Sequence, residues 1–150
     1  GAVAQALSSG KKLPGKTSYL ITILRKIFSY RSRHFTIMTG DKVITGKKLL
    51  VDISNGRRAG GGFHVAPEAL ANDGWLDLVM SASLTSIRRL IYLPVIEKGK
   101  HLGLSFITHL PVKAVRIQSL DIIQYHLDGE YAEAAELDIQ IREQAFLFRY

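Results

Sequence analysis

Two acidic, glycine-containing turns are the parts of this chain whose residue types and spacing best suit chemistry. Asp73-Gly74 comes just before the apolar stretch 76–82, and Asp128-Gly129-Glu130 follows the alternating stretch 123–127. A carboxylate beside such a turn can act as a general base or help to hold a hard cation. Asp-Gly is also the commonest signal for an ordinary hairpin turn. Taken singly, each turn therefore fits both interpretations.

A third stretch fits a known phosphate-binding pattern. Residues 10–17, GKKLPGKT, match G-x-x-x-x-G-K-[ST], and residues 49–52 end a strand-like run in Asp52. A working loop of this kind follows a buried strand inside a parallel sheet. Here the preceding residues are alanine-rich, and the second half of the chain is nearly free of helices. A basic lead-in to the first helix explains residues 10–17 better than a P-loop does.

Other catalytic and metal-binding patterns are missing from the sequence. The five histidines show no metal-ligand spacing, and no G-x-S-x-G motif is present. The absence of cysteine excludes disulfides, thiolate catalysis and zinc–cysteine sites, and is in keeping with a reducing compartment. We therefore expect a cytoplasmic protein.

The charge balance favours anionic partners. The chain has 20 Lys and Arg against 13 Asp and Glu, a formal net charge of +7, which suits nucleic acid, phosphorylated ligands or an acidic membrane. The run FSYRSRHF, residues 28–35, suits RNA contact or the solvated end of a helix, but no nucleic-acid recognition motif accompanies it. No stretch is long and apolar enough to span a bilayer, so any membrane contact is predicted to be peripheral.

Two helices are predicted to position these residues. Residues 17–29 place apolar side chains at the spacing of one buried helical stripe: Leu20, Ile23, Leu24, Ile27 and Phe28. A second helix is predicted after an N-cap at Thr85, and Pro94 is expected to end or kink it. Its apolar residues are Ile87, Leu90 and Ile91.

Strands account for most of the remaining chain. Alternation on both sides of Gly40-Asp41 predicts two strands within residues 34–56, and residues 76–82 predict a third, whereas the glycines and proline of 57–75 indicate a loop. Later strands are predicted around Val115/Ile117, Ile123/Tyr125/Leu127, Leu137/Ile139/Ile141 and Phe146/Phe148/Tyr150. Short turns between successive strands favour antiparallel sheets packed face to face.

The order of the motifs resembles one family. Residues 55–78 read NGRRAGGGFHVAPEALANDGWLDL, and Gly99-Lys100-His101 and Asp128-Gly129-Glu130 follow. Together with residues 15–24, GKTSYLITIL, they resemble the C-terminal domain of the diacylglycerol kinase catalytic family, which includes bacterial lipid kinases and has sphingosine and ceramide kinases as relatives. The resemblance covers nearly the whole chain.

The resemblance implies a mostly β fold for residues 1–150: one domain, an antiparallel β-sandwich with two or three helices. Members of the family also carry an N-terminal α/β nucleotide-binding domain with a GGDGT-type loop, and this sequence contains no such loop. We expect this domain to act beside its own N-terminal nucleotide-binding domain, which would bind most of the ATP, and to be inactive alone.

The resemblance also assigns roles to individual residues. It places Glu130 at the family's general base, with Asp128 beside it in the same motif. It places Asp73 at a metal-linked aspartate, with Mg²⁺ also held by the backbone carbonyls of Leu70 and Trp75. The glycines assigned to close backbone approach at the cofactor cleft are Gly60, Gly61, Gly62 and Gly129. We expect the carboxylates of Glu130 and Asp73 to face one shared pocket.

The expected function is that of the substrate and metal side of an ATP-dependent lipid kinase, which transfers the γ-phosphate to a lipid hydroxyl, with diacylglycerol as the first acceptor to consider. The expected partners are the lipid and the anionic inner face of a membrane, approached by Lys11, Lys12, Arg88 and Arg89. A homodimer stays open, and nucleic acid is not expected. The alternatives are a non-catalytic basic module that binds nucleic acid or anionic membrane and, with less support, a P-loop NTPase.

Overall fold

The computed structural model describes residues 28–59 and 62–143, and strands dominate this part of the chain. The elements are β1 (Arg33–Thr39), β2 (Lys42–Ser54), β3 (Leu76–Ala82), α1 (Ser86–Glu97), β4 (Ile107–Val112), β5 (Ala114–Leu127) and β6 (Glu130–Gln140). Residues 28 and 29 are also helical. The rest of the helix predicted over 17–29 lies outside the described residues, as do the P-loop match at 10–17 and the strand predicted at 146–150.

The described strands form one antiparallel sheet in the order β4-β3-β2-β1-β5-β6. β2 joins its two parts, because residues 42–48 pair with β1 and residues 48–54 pair with β3. The register shifts between Lys48 and Leu50, where the partner changes. β5 pairs with β1 near its start and with β6 on both sides of a second irregularity, between Gln118 and Ile123.

The sheet folds over on itself around one apolar core. Ile37 of β1, Leu78 and Met80 of β3 and Val115 of β5 are each at most 1% exposed and belong to one cluster. Two strands separate β3 from β5 in the sheet order, so their inner faces meet only because the sheet curls into two layers. The prediction of a mostly β, antiparallel sandwich is confirmed.

Strand β3, which lies next to the edge strand β4, is buried on both of its faces. Leu76, Leu78 and Met80 point into the main core, while Val79 packs with Ala66 and Ala69 on the other side. The loop 63–73 therefore covers the outer face of β3, and the two acidic groups at Asp73 and Asp77 flank the start of the strand.

Helix α1 follows β3 and begins as predicted. The Thr85 side chain accepts a hydrogen bond from the Arg88 N–H (3.5 Å) and forms the N-cap. Of the two outcomes expected at Pro94, an end or a kink, the helix does not end there, because α1 continues to Glu97. Proline lacks an N–H, but its carbonyl still accepts from the Lys98 N–H at 3.2 Å. No helix in residues 28–59 and 62–143 has the length and apolar character needed to cross a bilayer.

Candidate functional site

Glu130 lies at the tip of the β5–β6 hairpin. Leu127 and Glu130 pair across a two-residue turn, and both turn residues have positive φ: 49° at Asp128 and 97° at Gly129. This is the geometry of a type I′ turn, which Asp-Gly suits because glycine and aspartate tolerate positive φ. Gly129 is thus required by the turn, and the turn holds Glu130 in solvent as the first residue of β6. No hydrogen bond or ion pair involves the Glu130 side chain within the described ranges.

Glu130 shares one face of the hairpin with a row of apolar side chains. Directly paired residues of antiparallel strands lie on the same face, so the register determines the members of this row: Ile123, Tyr125 and Leu127 on β5, and Ala132 and Ala134 on β6. Ile123 is buried in the core at 5% exposure, whereas Leu127 is 68% exposed. The apolar row therefore runs from the core to the solvent and ends beside the Glu130 carboxylate.

The opposite face of the hairpin is polar. The Tyr131 hydroxyl donates a hydrogen bond to Glu133, and this contact raises the pKa of Tyr131 and lowers the pKa of Glu133. The Gln124 amide also donates to Glu133, at 3.1 Å. Arg33 of β1 reaches across to the Ile122 carbonyl, at 2.9 Å. The Arg33 contact thus fastens the outer half of the hairpin to β1, and the contact between Gln124 and Glu133 links β5 to β6.

Asp73 lies in a tight turn before β3 whose oxygen atoms suit a hard cation. One Asp73 carboxylate oxygen accepts from the Trp75 N–H at 2.9 Å, and the Asp73 N–H points to the Leu70 carbonyl at 3.4 Å. A carboxylate and backbone carbonyls are the ligand types Mg²⁺ prefers, and each carbonyl retains a lone pair. Nowhere in the described part of the chain, this turn included, do three acidic or histidine side chains come together as metal ligands. A Mg²⁺ ion at this turn would have Asp73 as its single side-chain ligand, and its binding there stays a prediction.

Two residues that sequence reasoning missed brace this turn. A Cβ on Gly74, which has a φ of 76°, would lie 2.8 Å from a carboxylate oxygen of Glu143. The same Glu143 oxygen accepts from the Lys113 ammonium at 3.0 Å, and Lys113 lies 5.2 Å above the Trp75 ring centre. Because the two residues follow the turn by 40 and 70 positions, no local pattern could have pointed to them.

The structure does not bring Glu130 and Asp73 together. Glu130 begins β6, whereas the Asp73 turn lies against Glu143, which follows the end of β6. A strand of this length spans roughly 30 Å at about 3.3 Å per residue. The expectation of one shared pocket is wrong, since the hairpin carries Glu130 to the far end of β6 from the residues that contact Gly74. Each carboxylate belongs to a separate candidate site.

The glycine-rich segment is only partly described. Gly60 and Gly61 lie outside the described residues. Gly62 has a φ of 102° with open space where a Cβ would stand, so its backbone angle rather than crowding favours glycine there. Two hydrogen bonds between Ala59 and Phe63 close the loop. The assignment of these glycines to a cofactor cleft stays a prediction.

A polar cluster beneath the loop 63–73 was also missed. The Nε2 atom of His109, on β4, lies 2.5 Å from the carboxylate of Asp77, on β3. Asp77 is 6% exposed, and the Nδ1 atom of His109 lies 3.7 Å from the Glu68 carboxylate. His101 is 1% exposed and contacts the Val65 carbonyl at 2.9 Å. His109 thus links the covering loop to the sheet, and His101 holds the loop to the segment between α1 and β4. No pattern in the sequence links Glu68, Asp77 and His109.

Burial shifts the pKa of two groups in this region, His101 and Asp52. Desolvation lowers the pKa of His101, so its neutral form is favoured, with one ring N–H donated to Val65 and Nδ1 left without a partner. Desolvation also raises the pKa of Asp52, which accepts from the Ser54 hydroxyl at 2.5 Å. Gly99 ends α1 with a φ of 68°. Gly99 and His101 of the Gly99-Lys100-His101 motif therefore have structural roles.

Comparisons with known proteins agree with this fold. A "Probable lipid kinase YegS-like" protein of Pseudomonas savastanoi pv. phaseolicola is 36% identical over 138 residues, which are 90% of this chain and 44% of that protein. A "Diacylglycerol kinase" of Mycobacterium tuberculosis strain H37Rv is 31% identical over 119 residues, 79% of this chain and 38% of that protein. This chain thus spans about two fifths of the length of these relatives.

A solved structure shows the same fold. The crystal structure of a diacylglycerol kinase from Bacillus anthracis str. Sterne matches with a TM-score of 0.54 and 17% identity, over 77% of this chain and 42% of that one. The model of the YegS C-terminal NAD kinase beta sandwich-like domain matches residues 1–147. This chain therefore belongs to the YegS C-terminal, NAD kinase-like β-sandwich domain family, whose relatives here are named as lipid and diacylglycerol kinases.

Proposed function

We propose that this domain forms the lipid side of an ATP-dependent lipid kinase and that Glu130 is its general base. The observation that carries the proposal is the position of Glu130 at the solvent end of an apolar row on the hairpin. An acceptor with a hydrocarbon part and a hydroxyl matches this arrangement. The names of the relatives support the reaction class, and diacylglycerol is the first acceptor to test.

In the proposed reaction, the lipid hydroxyl oxygen attacks the γ-phosphorus of ATP. A new oxygen–phosphorus bond forms, the bond between the γ-phosphorus and the bridging oxygen of ADP breaks, and ADP leaves with that bonding pair. The hydroxyl proton passes to the Glu130 carboxylate. Phosphoryl transfer depends mainly on positioning and charge neutralisation, so the rigid type I′ turn contributes by fixing where this carboxylate lies. Asp128 would add negative charge beside it and help to orient the attacking group.

The Asp73 turn has a separate role in this proposal. Asp73, with the carbonyls of Leu70 and Trp75, would hold Mg²⁺ and so brace the turn before β3. When bound, the ion supplies positive charge that neutralises the surrounding oxygen dipoles. The distance between the two ends of β6 argues against a role of this turn at the transferred phosphate. The ATP with its own Mg²⁺ would come from a nucleotide-binding domain, so the domain alone would be inactive.

The proposed setting is the cytoplasmic face of a membrane, because the acceptor lipid resides there. The net charge of +7 suits peripheral association with anionic lipid.

The test is Glu130→Gln in the full-length product of the gene. We expect kcat for lipid phosphorylation to fall roughly 10²–10⁴-fold, the usual contribution of a general base. KM for ATP should change little, because Glu130 is proposed to act on the acceptor hydroxyl. The matched control is Glu136→Gln, an exposed glutamate on the same strand whose side chain pairs with Gln118. Turnover close to wild type in Glu130→Gln, with the fold intact, would rule out the proposed base.

A further inference from the structure

Helix α1 presents an uncovered apolar face. Ile87 is 69% exposed and Ile91 is 62% exposed, one helical turn apart, and Pro94 is also exposed. Residues at i, i+4 and i+7 lie on the same side of a helix. We call Ile87, Arg88, Ile91 and Pro94 the α1 outer face. Two well-exposed isoleucines on one helical stripe are a feature of binding surfaces.

The charges around this face are mostly positive. α1 has no acidic residue before Glu97, at its last position, and Lys98 and Lys100 follow it. The Arg88 guanidinium lies 5.5 Å from the Phe106 ring centre and 5.8 Å from that of Tyr92, so these two rings hold the side chain of the exposed residue that follows Ile87 in the helix. Apolar side chains flanked by cations match the acyl and phosphate layers of an anionic bilayer.

The two neighbouring arginines have different roles. Arg89 donates to the backbone carbonyls of Leu84, at 2.9 Å, and Tyr30, at 2.7 Å, and so holds the start of α1 against the segment before β1. Arg88 is the arginine on the outer face. Both arginines were expected to approach a membrane. We keep this role for Arg88 and assign Arg89 a structural one.

A chain of contacts connects the start of α1 to the Glu130 hairpin. Arg89 bonds to Tyr30, and the Ser83 hydroxyl bonds to that of Ser32, at 2.7 Å. The next residue, Arg33, bonds to the carbonyl of Ile122 in β5, at 2.9 Å. Residues 30–33 therefore join the start of α1 to the outer half of the hairpin.

We propose that the α1 outer face docks this domain on an anionic lipid bilayer. Ile87 and Ile91 insert at the boundary between headgroups and acyl chains, and Arg88 pairs with lipid phosphates. Docking there brings the end of the molecule that carries the Glu130 hairpin toward the bilayer in which an acceptor lipid resides. This inference rests on the proposed function for its choice of a bilayer as the partner.

The experiment measures co-sedimentation of the purified chain with vesicles. One set contains phosphatidylcholine and phosphatidylglycerol, and the other contains phosphatidylcholine alone. We expect binding to the anionic set, reduced roughly tenfold or more in Ile87→Ser/Ile91→Ser because less apolar area enters the bilayer. Arg88→Gln should reduce binding to the anionic set roughly fivefold, the worth of one cation near such a surface.

The control is Val43→Ser, which changes a 64% exposed aliphatic residue on β2 and should bind as wild type does. Circular dichroism checks that each variant is folded. Equal vesicle binding by wild type and the double isoleucine variant overturns the docking proposal. The proposal is also overturned if, without vesicles, the double isoleucine variant has a lower molar mass in solution than wild type. That result would mean that the α1 outer face is a contact between copies of this chain.

Vesicle binding requires no phosphoryl transfer, so the two proposals fail separately. Isoleucine-dependent binding with unchanged turnover in Glu130→Gln would contradict the proposed base and leave docking supported. Loss of turnover in Glu130→Gln with isoleucine-independent vesicle binding would contradict docking alone.

Discussion

At the scale of single residues, the glycines of the two acidic turns are explained by backbone geometry before any chemistry is invoked. Gly74 and Gly129 have φ values of 76° and 97°, in the region where a side chain is unfavourable. The same turns hold Asp73 and Glu130 in defined positions. Asp-Gly therefore serves the fold in both turns, and the candidate chemistry belongs to the carboxylates.

Gly74→Ala should lower the free energy of unfolding by about 1–2 kcal/mol, the cost of a left-handed conformation for a residue with a Cβ. The Glu143 carboxylate near the new Cβ is the tip of a long side chain, so its displacement should add little. Urea denaturation measures the change. Gly56→Ala is the control, because Gly56 has open space around it and an ordinary φ. Equal stability of the two variants would contradict this account of the turn.

His101 links protonation to stability, and its sign follows from burial. Desolvation holds its folded pKa below the ordinary value of 6.5, so the unfolded state binds more protons as the pH falls from 6.5 toward the lowered value. The free energy of unfolding is therefore unaffected by His101 protonation above pH 6.5. It decreases as the pH falls from 6.5 to the lowered pKa of His101. The melting temperature of wild type should therefore fall more steeply below pH 6.5 than that of His101→Gln. His34→Gln, at an exposed site, should keep the wild-type slope; the same slope in all three proteins would contradict the prediction.

At the scale of elements, local patterns in the sequence predicted several strands and the start of α1. The β1–β2 hairpin around Gly40-Asp41, the strand at residues 76–82 and the Thr85 cap of α1 all form as expected. β4 was missed, since its six residues include Pro111 and lie between two longer patterns, the helical one of α1 and the alternating one of β5. The two strands predicted at 115–117 and 123–127 are one strand, β5, because the irregularity between them does not end the pairing with β6.

The sequence could not predict contacts between elements far apart in the chain. Asp77 and His109 are 32 positions apart and meet only because β3 and β4 pair. The separation of Asp73 from Glu130 likewise follows from the length of β6, which begins at Glu130 and leads toward Glu143, beside the Asp73 turn. A resemblance supplies which residues are candidates, but strand length and register decide which of them meet.

The contact between Asp77 and His109 should stabilise the sheet. His109→Ala leaves the buried Asp77 carboxylate without this partner, which should cost about 1–3 kcal/mol in the free energy of unfolding. Glu68→Gln should cost less than about 0.5 kcal/mol, because Glu68 is well exposed and 3.7 Å from the ring. Urea denaturation of both variants at neutral pH makes the comparison. Similar losses would show that the salt bridge at the surface matters as much as the buried contact.

At the scale of the whole molecule, the sandwich places the two candidate sites at opposite ends of β6. The Glu130 hairpin lies on the side of residues 30–33 and α1, and the Asp73 turn lies on the side of Lys113 and Glu143. Sites this far apart without shared contacts respond independently to mutation. In the two proposals, the end with Glu130 and α1 takes the acceptor and faces the bilayer, and the end with Asp73 holds the turn before β3.

Independence of the two ends predicts how Mg²⁺ should act on stability. An ion that binds only the folded state at about a hundred times its Kd stabilises that state by about 2.7 kcal/mol, so Mg²⁺ should raise the melting temperature by several degrees. Asp73→Asn should abolish the shift, since the amide oxygen can still accept from the Trp75 N–H but the carboxylate charge is lost. Glu130→Gln should keep the full shift, as should Asp121→Asn at an exposed site. Loss of the shift in Glu130→Gln would mean that the two carboxylates act on one ion after all, and a full shift in Asp73→Asn would place the ion elsewhere.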